Sequence, residues 1–228
     1  MKVLVLVTLS YDQSIYSAHR DVWREFMHTH PDVTSYFIAS RDGVQSVIED
    51  GDILWTPGPE GYPNGVPSGA RLEKTLDALE WAEGRGFDFV VRTGLSSLWI
   101  YANLLTFLSS LPRTGVYCGI DGGGFISGAG TILSADVASL LVRNRDLAVS
   151  FPSEEDVRMG ACMEALGIPR RPATRVDVLS PEHYRTLLIP TTAYHFRVKF
   201  HIHDQDIRKQ EVAVMRDILQ RYKIFFQR

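Results

Sequence analysis

Short apolar runs alternate with longer amphipathic stretches along this chain, and the spacing predicts strands and helices in turn. The run Val3 to Val7 makes Lys2–Leu9 a strand that ends in polar Ser10-Tyr11-Asp12-Gln13-Ser14. From about Ser17 to Met27, Val22, Trp23 and Phe26 fall along one side of a helix. Val33–Ala39 reads as a second strand and Asp52–Trp55 as a weaker one. Thr56–Gly69 holds four prolines and four glycines, too many for regular structure. It reads as a long surface loop of the kind that often carries function.

Arg71–Glu83 is predicted as an amphipathic helix, with Leu72, Leu76, Leu79 and Trp81 toward a core. Phe87, Phe89, Val90 and Val91 then form a buried strand that stops abruptly at Arg92-Thr93-Gly94-Leu95-Ser96-Ser97. Tyr101–Leu111 reads as a helix, Gly115–Gly119 as a strand and Asp121–Gly130 as a glycine-rich loop. Ile132-Leu133 leads into a helix capped at Ser134. Ser153 starts a further helix through Leu166, which Gly167 ends. Tyr194–Ile202 alternates like a strand. Gln210–Phe226 closes the sequence as a helix that buries Val214, Met215, Ile218, Leu219, Tyr222 and Phe226. With no internal repeat, low-complexity segment or linker, residues 1–228 are expected to form one mixed α/β domain, a central mixed sheet flanked by helices.

Composition changes this picture little: 228 residues, 45% hydrophobic and 22% charged, suit a soluble globular protein. Charge distribution adds more. Residues 1–166 carry 12 Lys/Arg against 21 Asp/Glu, a balance of −9, whereas residues 167–228 carry 12 against 6, a balance of +6. A basic C-terminal part suits either an anionic small ligand or complementarity with the acidic remainder; no nucleic-acid partner is expected. Cys118 and Cys162 belong to no CxxC motif and are expected to be buried free thiols. No stretch approaches the roughly 18–20 apolar residues of a membrane span, so a cytoplasmic location is expected.

Three constellations carry candidate chemistry. In "DGGGFISGAGTILSADV" (Asp121 to Val137) five glycines within nine residues allow close backbone approach to a ligand, or make a plain turn. A dinucleotide site is rejected, because the segment lies mid-chain and Thr131-Ile132-Leu133 separates it from the next helix. In "FPSEEDVRMGACMEALGI" (Phe151 to Ile168) the three carboxylates Glu154, Glu155 and Asp156 crowd a helix start. Ser153 with Asp156 approximates a capping box; alternatively one carboxylate is a general base for a substrate hydroxyl. In "YHFRVKFHIHD" (Tyr194 to Asp204) alternation places His195, Arg197, Lys199, His201 and His203 on one face. That face is a solvated edge, a metal site or a phosphate cradle.

Four segments in register resemble the beta-1,3-glycosyltransferases of glycosyltransferase family 31, including the Fringe-like branch. They are "SIYSAHRDVWREF", "KTLDALEW", "CGIDGGGFISGAGTILSADVASLL" and, most specifically, "EEDVRMGACMEALGI". The resemblance implies a GT-A fold, a nucleotide-sugar donor, a glycan acceptor and inverting transfer. It also implies that Asp156 is the catalytic base, with Glu155 the alternate, and that Thr8, Ser10 and Arg20 meet the nucleotide. The family's Asp-x-Asp motif, which holds a divalent cation on the donor diphosphate, is replaced here by Arg92-Thr93-Gly94-Leu95-Ser96-Ser97. A leaving diphosphate needs positive charge, and cationic side chains supply it as a metal does. The expectation is therefore a metal-independent transferase in which Arg92, Arg197 and Lys199 clamp the diphosphate. Lys74, Thr93, Gly128, Gly130 and His195 are further donor-binding candidates, and no metal cofactor is expected. Alternatives are Mn2+ held by His201 and His203, a relative that binds nucleotide or glycan without catalysis, and a metal hydrolase on His201, His203 and Asp204.

Overall fold

The computed structural model describes residues 1–9, 16–60, 70–200 and 205–222. Its strands are β1 (Val3–Thr8), β2 (Val33–Ser40), β3 (Ile48–Asp50), β4 (Ile53–Thr56), β5 (Phe89–Gly94) and β6 (Ser97–Trp99). There follow β7 (Tyr117–Asp121), β8 (Ile126–Ser134), β9 (Arg170–Pro172), β10 (Val176–Val178) and β11 (His195–Val198). The helices are α1 (Ser17–Phe26), α2 (Ala70–Ala82), α3 (Tyr101–Ser109) and α4 (Ala135–Arg143). The chain continues with α5 (Arg145–Ser150), α6 (Glu155–Ala165), α7 (Pro181–Thr186) and α8 (Gln205–Arg221).

The described chain divides into two compact units. The first comprises residues 1–12, 35–94 and 112–173; the second comprises 13–34, 95–111 and 174–228. In the first, an eight-stranded mixed sheet runs β3-β4-β2-β1-β5-β8-β7-β9. β1 and β5 pair in parallel with Val3 opposite Phe89, and β5 pairs antiparallel with β8. Because β1 and β5 are central, Val3–Val7 and Phe89–Val91 are apolar in unbroken succession rather than alternating. Leu4, Leu6 and Val90 meet Leu72, Leu76 and Leu79 of α2, Leu141 of α4, and Cys162 and Met163 of α6 in one core. Gly167 ends the α6 segment at φ 70°; its N–H reaches Glu164 and that of Ile168 reaches Met163, satisfying the last carbonyls. The helix expected from Ser153 thus starts two residues later, at Glu155.

In the second unit β10, β11 and β6 form a three-stranded sheet, with α1, α3, α7 and α8 in the same unit. Trp23 of α1 donates its indole N–H to the Leu95 carbonyl at 3.0 Å. Met215, Ile218 and Leu219 of α8 are buried as the periodicity predicts, and Phe226 lies outside the described residues. Both cysteines are free and buried. Among the described residues no helix is long and apolar enough to cross a membrane.

Candidate functional site

The parallel pair β1–β5 brings Thr8 opposite Gly94 at the carboxyl end of the first unit's sheet, the edge where open α/β sheets bind ligands. The sequence suggested that the strand stops before Arg92. Instead β5 continues through Arg92 and Thr93, which pair with Thr131 and Gly130 of β8. The ladder with β8 gives these polar residues backbone partners, so strand outlasts the apolar run.

Arg92 is 6% exposed and does not project as a free cation. Its Nη1 donates to the Gly128 carbonyl and its Nη2 to Oε2 of Glu155. Thr75 donates its hydroxyl to the other Glu155 oxygen at 2.8 Å, so both oxygens of that buried carboxylate are taken. Thr93 adds a hydroxyl bond to the Ala129 carbonyl at 2.7 Å. Residue 128 must be small here: a Cβ would fall 2.7 Å from Arg92 Nη1 and 3.3 Å from Asp156 Oδ2.

The Gly128 N–H donates to Oδ2 of Asp156 at 3.0 Å, and the Val157 N–H to Oδ1 at 3.1 Å. Asp156 is half-buried in the first turn of α6, where the helix dipole favours a carboxylate. The capping-box expectation is corrected: the N-cap is Glu154, it caps through no side chain, and Asp156 turns toward β8. The glycine-loop expectation is corrected too. Gly128 and Gly130 are strand residues of β8, because pairing with β5 on one side and β7 on the other overrides glycine's weak strand preference.

Lys74 is also committed. Its ammonium donates to the Leu9 carbonyl at 2.8 Å and to Glu60 at 2.5 Å, and the other Glu60 oxygen accepts the Ser40 N–H at 2.6 Å. Burial pushes its pKa down, opposed by the Glu60 carboxylate. Thr8 Oγ1 is buried without a hydrogen-bond partner among the described residues. Along this edge two cations, Lys74 and Arg92, thus face three carboxylates, Glu60, Glu155 and Asp156. Arg92 is a strut between β5, β8 and α6 rather than the diphosphate clamp the sequence suggested. Nor does the strand end fit a divalent cation: Arg92-Thr93-Gly94 offers no carboxylate, and Glu155 is occupied by a guanidinium.

The remaining candidates belong to the second unit or lie outside the described residues. Arg20 is on α1. His195 of β11 is 3% exposed and stacks on Trp99 with ring centroids 3.8 Å apart, so it is no solvated-face residue. Arg197 and Lys199 are half-buried. Ser10, His201, His203 and Asp204 lie outside the described residues. Among the described residues no three of His, Cys, Asp and Glu gather as metal ligands. The sequence reading missed Thr75 and Glu60, although "KTLDALEW" contains the first and the Thr56–Gly69 segment the second.

No family model matches the chain, and no curated protein matches it. Among solved structures it is similar to a glycosyltransferase involved in the glycosylation of the major capsid of PBCV-1. The identity is 12% and the TM-score 0.56, over 95% of this chain and 100% of that one. At that identity the likeness speaks for architecture and not for chemistry. The chain has an α/β fold of the GT-A-like glycosyltransferase kind.

Proposed function

We propose that this protein transfers a sugar from a nucleotide-diphosphate donor, a UDP-sugar foremost, to a hydroxyl of a glycan or similar acceptor with inversion. The observation that carries the reading is Asp156. It is a half-buried carboxylate oriented by the Gly128 N–H at the sheet's carboxyl edge, in a GT-A-like fold. The segment around it is the one most like family 31.

In the proposed reaction Asp156 accepts the proton of the acceptor hydroxyl while that oxygen attacks the anomeric carbon. The carbon–oxygen bond to the diphosphate breaks on the opposite face, and its electron pair leaves with the nucleotide. Glu155 does not share this role, because Arg92 and Thr75 hold both its oxygens. Thr8, Thr93, Gly128 and Gly130 frame the donor side. No step runs through a metal, since the strand end offers a cation no carboxylate.

The test is nucleotide release from a panel of UDP- and GDP-sugars with an acceptor mixture, in EDTA and with Mn2+. Transfer in EDTA is expected. Asp156→Asn is expected to slow it by about 10²–10⁴-fold, the range for loss of a general base, with UDP affinity unchanged. A strict Mn2+ requirement overturns metal independence, and full activity of Asp156→Asn overturns the base assignment. A second reading, nucleotide or glycan binding without turnover, is favoured by one observation: Arg92 is already neutralised by Glu155. Binding of UDP with no transfer to any acceptor selects it.

A further inference from the structure

Arg92, Gly128, Asp156 and Glu155 close a ring of contacts at the carboxyl edge of the first unit's sheet. The Arg92 guanidinium donates from Nη1 to the Gly128 carbonyl and from Nη2 to Oε2 of Glu155. Gly128 donates its N–H to Oδ2 of Asp156 at 3.0 Å, and Asp156 follows Glu155 directly in the chain. Each member touches the next, and the last touches the first.

The ring has little freedom to deform. The ladders of β5 hold the Arg92 backbone opposite Leu6 of β1 and Thr131 of β8. A guanidinium is planar, so its two Nη groups fix the separation of a carbonyl and a carboxylate as a flexible ammonium cannot. Its Nε makes no hydrogen bond among the described residues, so the bridging rests on the two Nη groups. Thr75 of α2 holds the other Glu155 oxygen at 2.8 Å. The same hydroxyl lies 2.9 Å from the Arg71 carbonyl, and with one proton to give it favours the charged acceptor. Gly128 leaves no slack, because a Cβ there would also meet Asp156 Cβ at 3.3 Å. The second oxygen of Asp156 accepts only the N–H of its neighbour Val157. The Gly128 contact is therefore what ties this carboxylate to the sheet.

We propose that Arg92 is a positioning residue for Asp156: it draws the Gly128 backbone and the Glu155 side chain together and so sets where the Asp156 carboxylate stands. The inference deepens the proposed transfer reaction and rests on Asp156 as its base. Proton transfer needs hydrogen-bond geometry, and a displacement of about 1 Å costs about 10²-fold in rate. In this role Arg92 touches neither sugar nor nucleotide. The cation at the end of β5 acts through the base and not on the leaving group.

The test compares Arg92→Met with Glu155→Met, as a double variant, and Arg92→Lys alone, in the transfer assay and in thermal melts of the full chain. A merely structural ion pair predicts that the double variant, apolar on both sides, recovers its rate with its stability. Positioning predicts a stable double variant whose kcat is about 10- to 10²-fold below wild type with donor and acceptor KM unchanged, because nothing holds the Gly128 carbonyl. Arg92→Lys, which keeps the charge and loses the fork, is expected to fall between the two. The Gly128 amide reports the same geometry without turnover. Its hydrogen exchange, followed by NMR, is expected to quicken in Asp156→Asn and again in the double variant. If the wild type transfers no sugar, the proposed reaction fails and this amide alone decides the positioning. Wild-type kcat in the double variant, or wild-type exchange of its Gly128 amide, overturns the proposal. If the double variant does not fold, the same two results in Arg92→Lys overturn it.

Discussion

At Arg92 a single guanidinium joins three segments distant in sequence: it accompanies β5, reaches the Gly128 carbonyl of β8 and pairs with Glu155 of α6, 63 positions away. A buried ion pair adds little net stability against an apolar replacement, but removing one partner strands the other charge. Arg92→Met is therefore expected to lose about 3–5 kcal/mol in urea unfolding, and Arg92→Met with Glu155→Met to regain most of it. Equal losses in the single and double variants would mean that the pair does not lock this edge. Both residues stood out in the sequence, Arg92 as an odd strand end and Glu155 in an acidic helix start. That they meet was not legible, because periodicity assigns a residue to a face and says nothing of which distant residue lies across from it.

Helix starts divide cleanly into one that the local pattern misreads and one that it passes over. Ser153-x-x-Asp156 fits the capping-box template, yet α6 begins at Glu155 and Ser153 caps nothing. Asp156 is drawn away by a backbone N–H from β8, a tertiary contact invisible to a four-residue template. Ser180, by contrast, precedes Pro181 at the first helical position and accepts the His183 N–H at 3.0 Å, so it caps α7. Ser180→Ala is expected to destabilise the protein by about 1 kcal/mol, and Ser153→Ala by less than roughly half that. Chemical denaturation of the two variants side by side checks the contrast. The glycine-rich segment shows the same limit in a strand: local preference reads a loop through Gly130, and two flanking strands make β8 from Ile126 onward.

For the molecule as a whole, the apolar pattern was the most legible feature. Val22, Trp23, Leu72, Leu76, Leu79, Met215 and Ile218 are buried as their spacing predicts. The strand order and the division into two units were not, since pattern fixes which face is apolar and leaves open which face packs against it. Both thiols lie in that interior. Burial pushes Cys118 up to about 11, with Arg171 lowering it only partly, and pushes Cys162 up as well. An acid whose folded pKa is raised binds its proton longer when folded than when unfolded. Its contribution to stability is thus complete below the unfolded value and fades as pH climbs from about 9 to about 11. Unfolding free energy is expected to fall across that window, more weakly in Cys118→Ala. Iodoacetamide at pH 8 is expected to label neither cysteine before unfolding and both after it.

The interleaving of the two units limits how this protein can be taken apart. The chain passes from one to the other between residues 9 and 16, and again at 34/35, 94/95, 111/112 and 173/174. No single cut yields either unit from an unbroken stretch of polypeptide: even residues 1–173, which hold every segment of the first unit, carry two of the three segments of the second. Limited proteolysis is expected to yield nicked but associated protein rather than a stable fragment. Deletion series are expected to lose solubility at every step, leaving substitution as the way to dissect the two units.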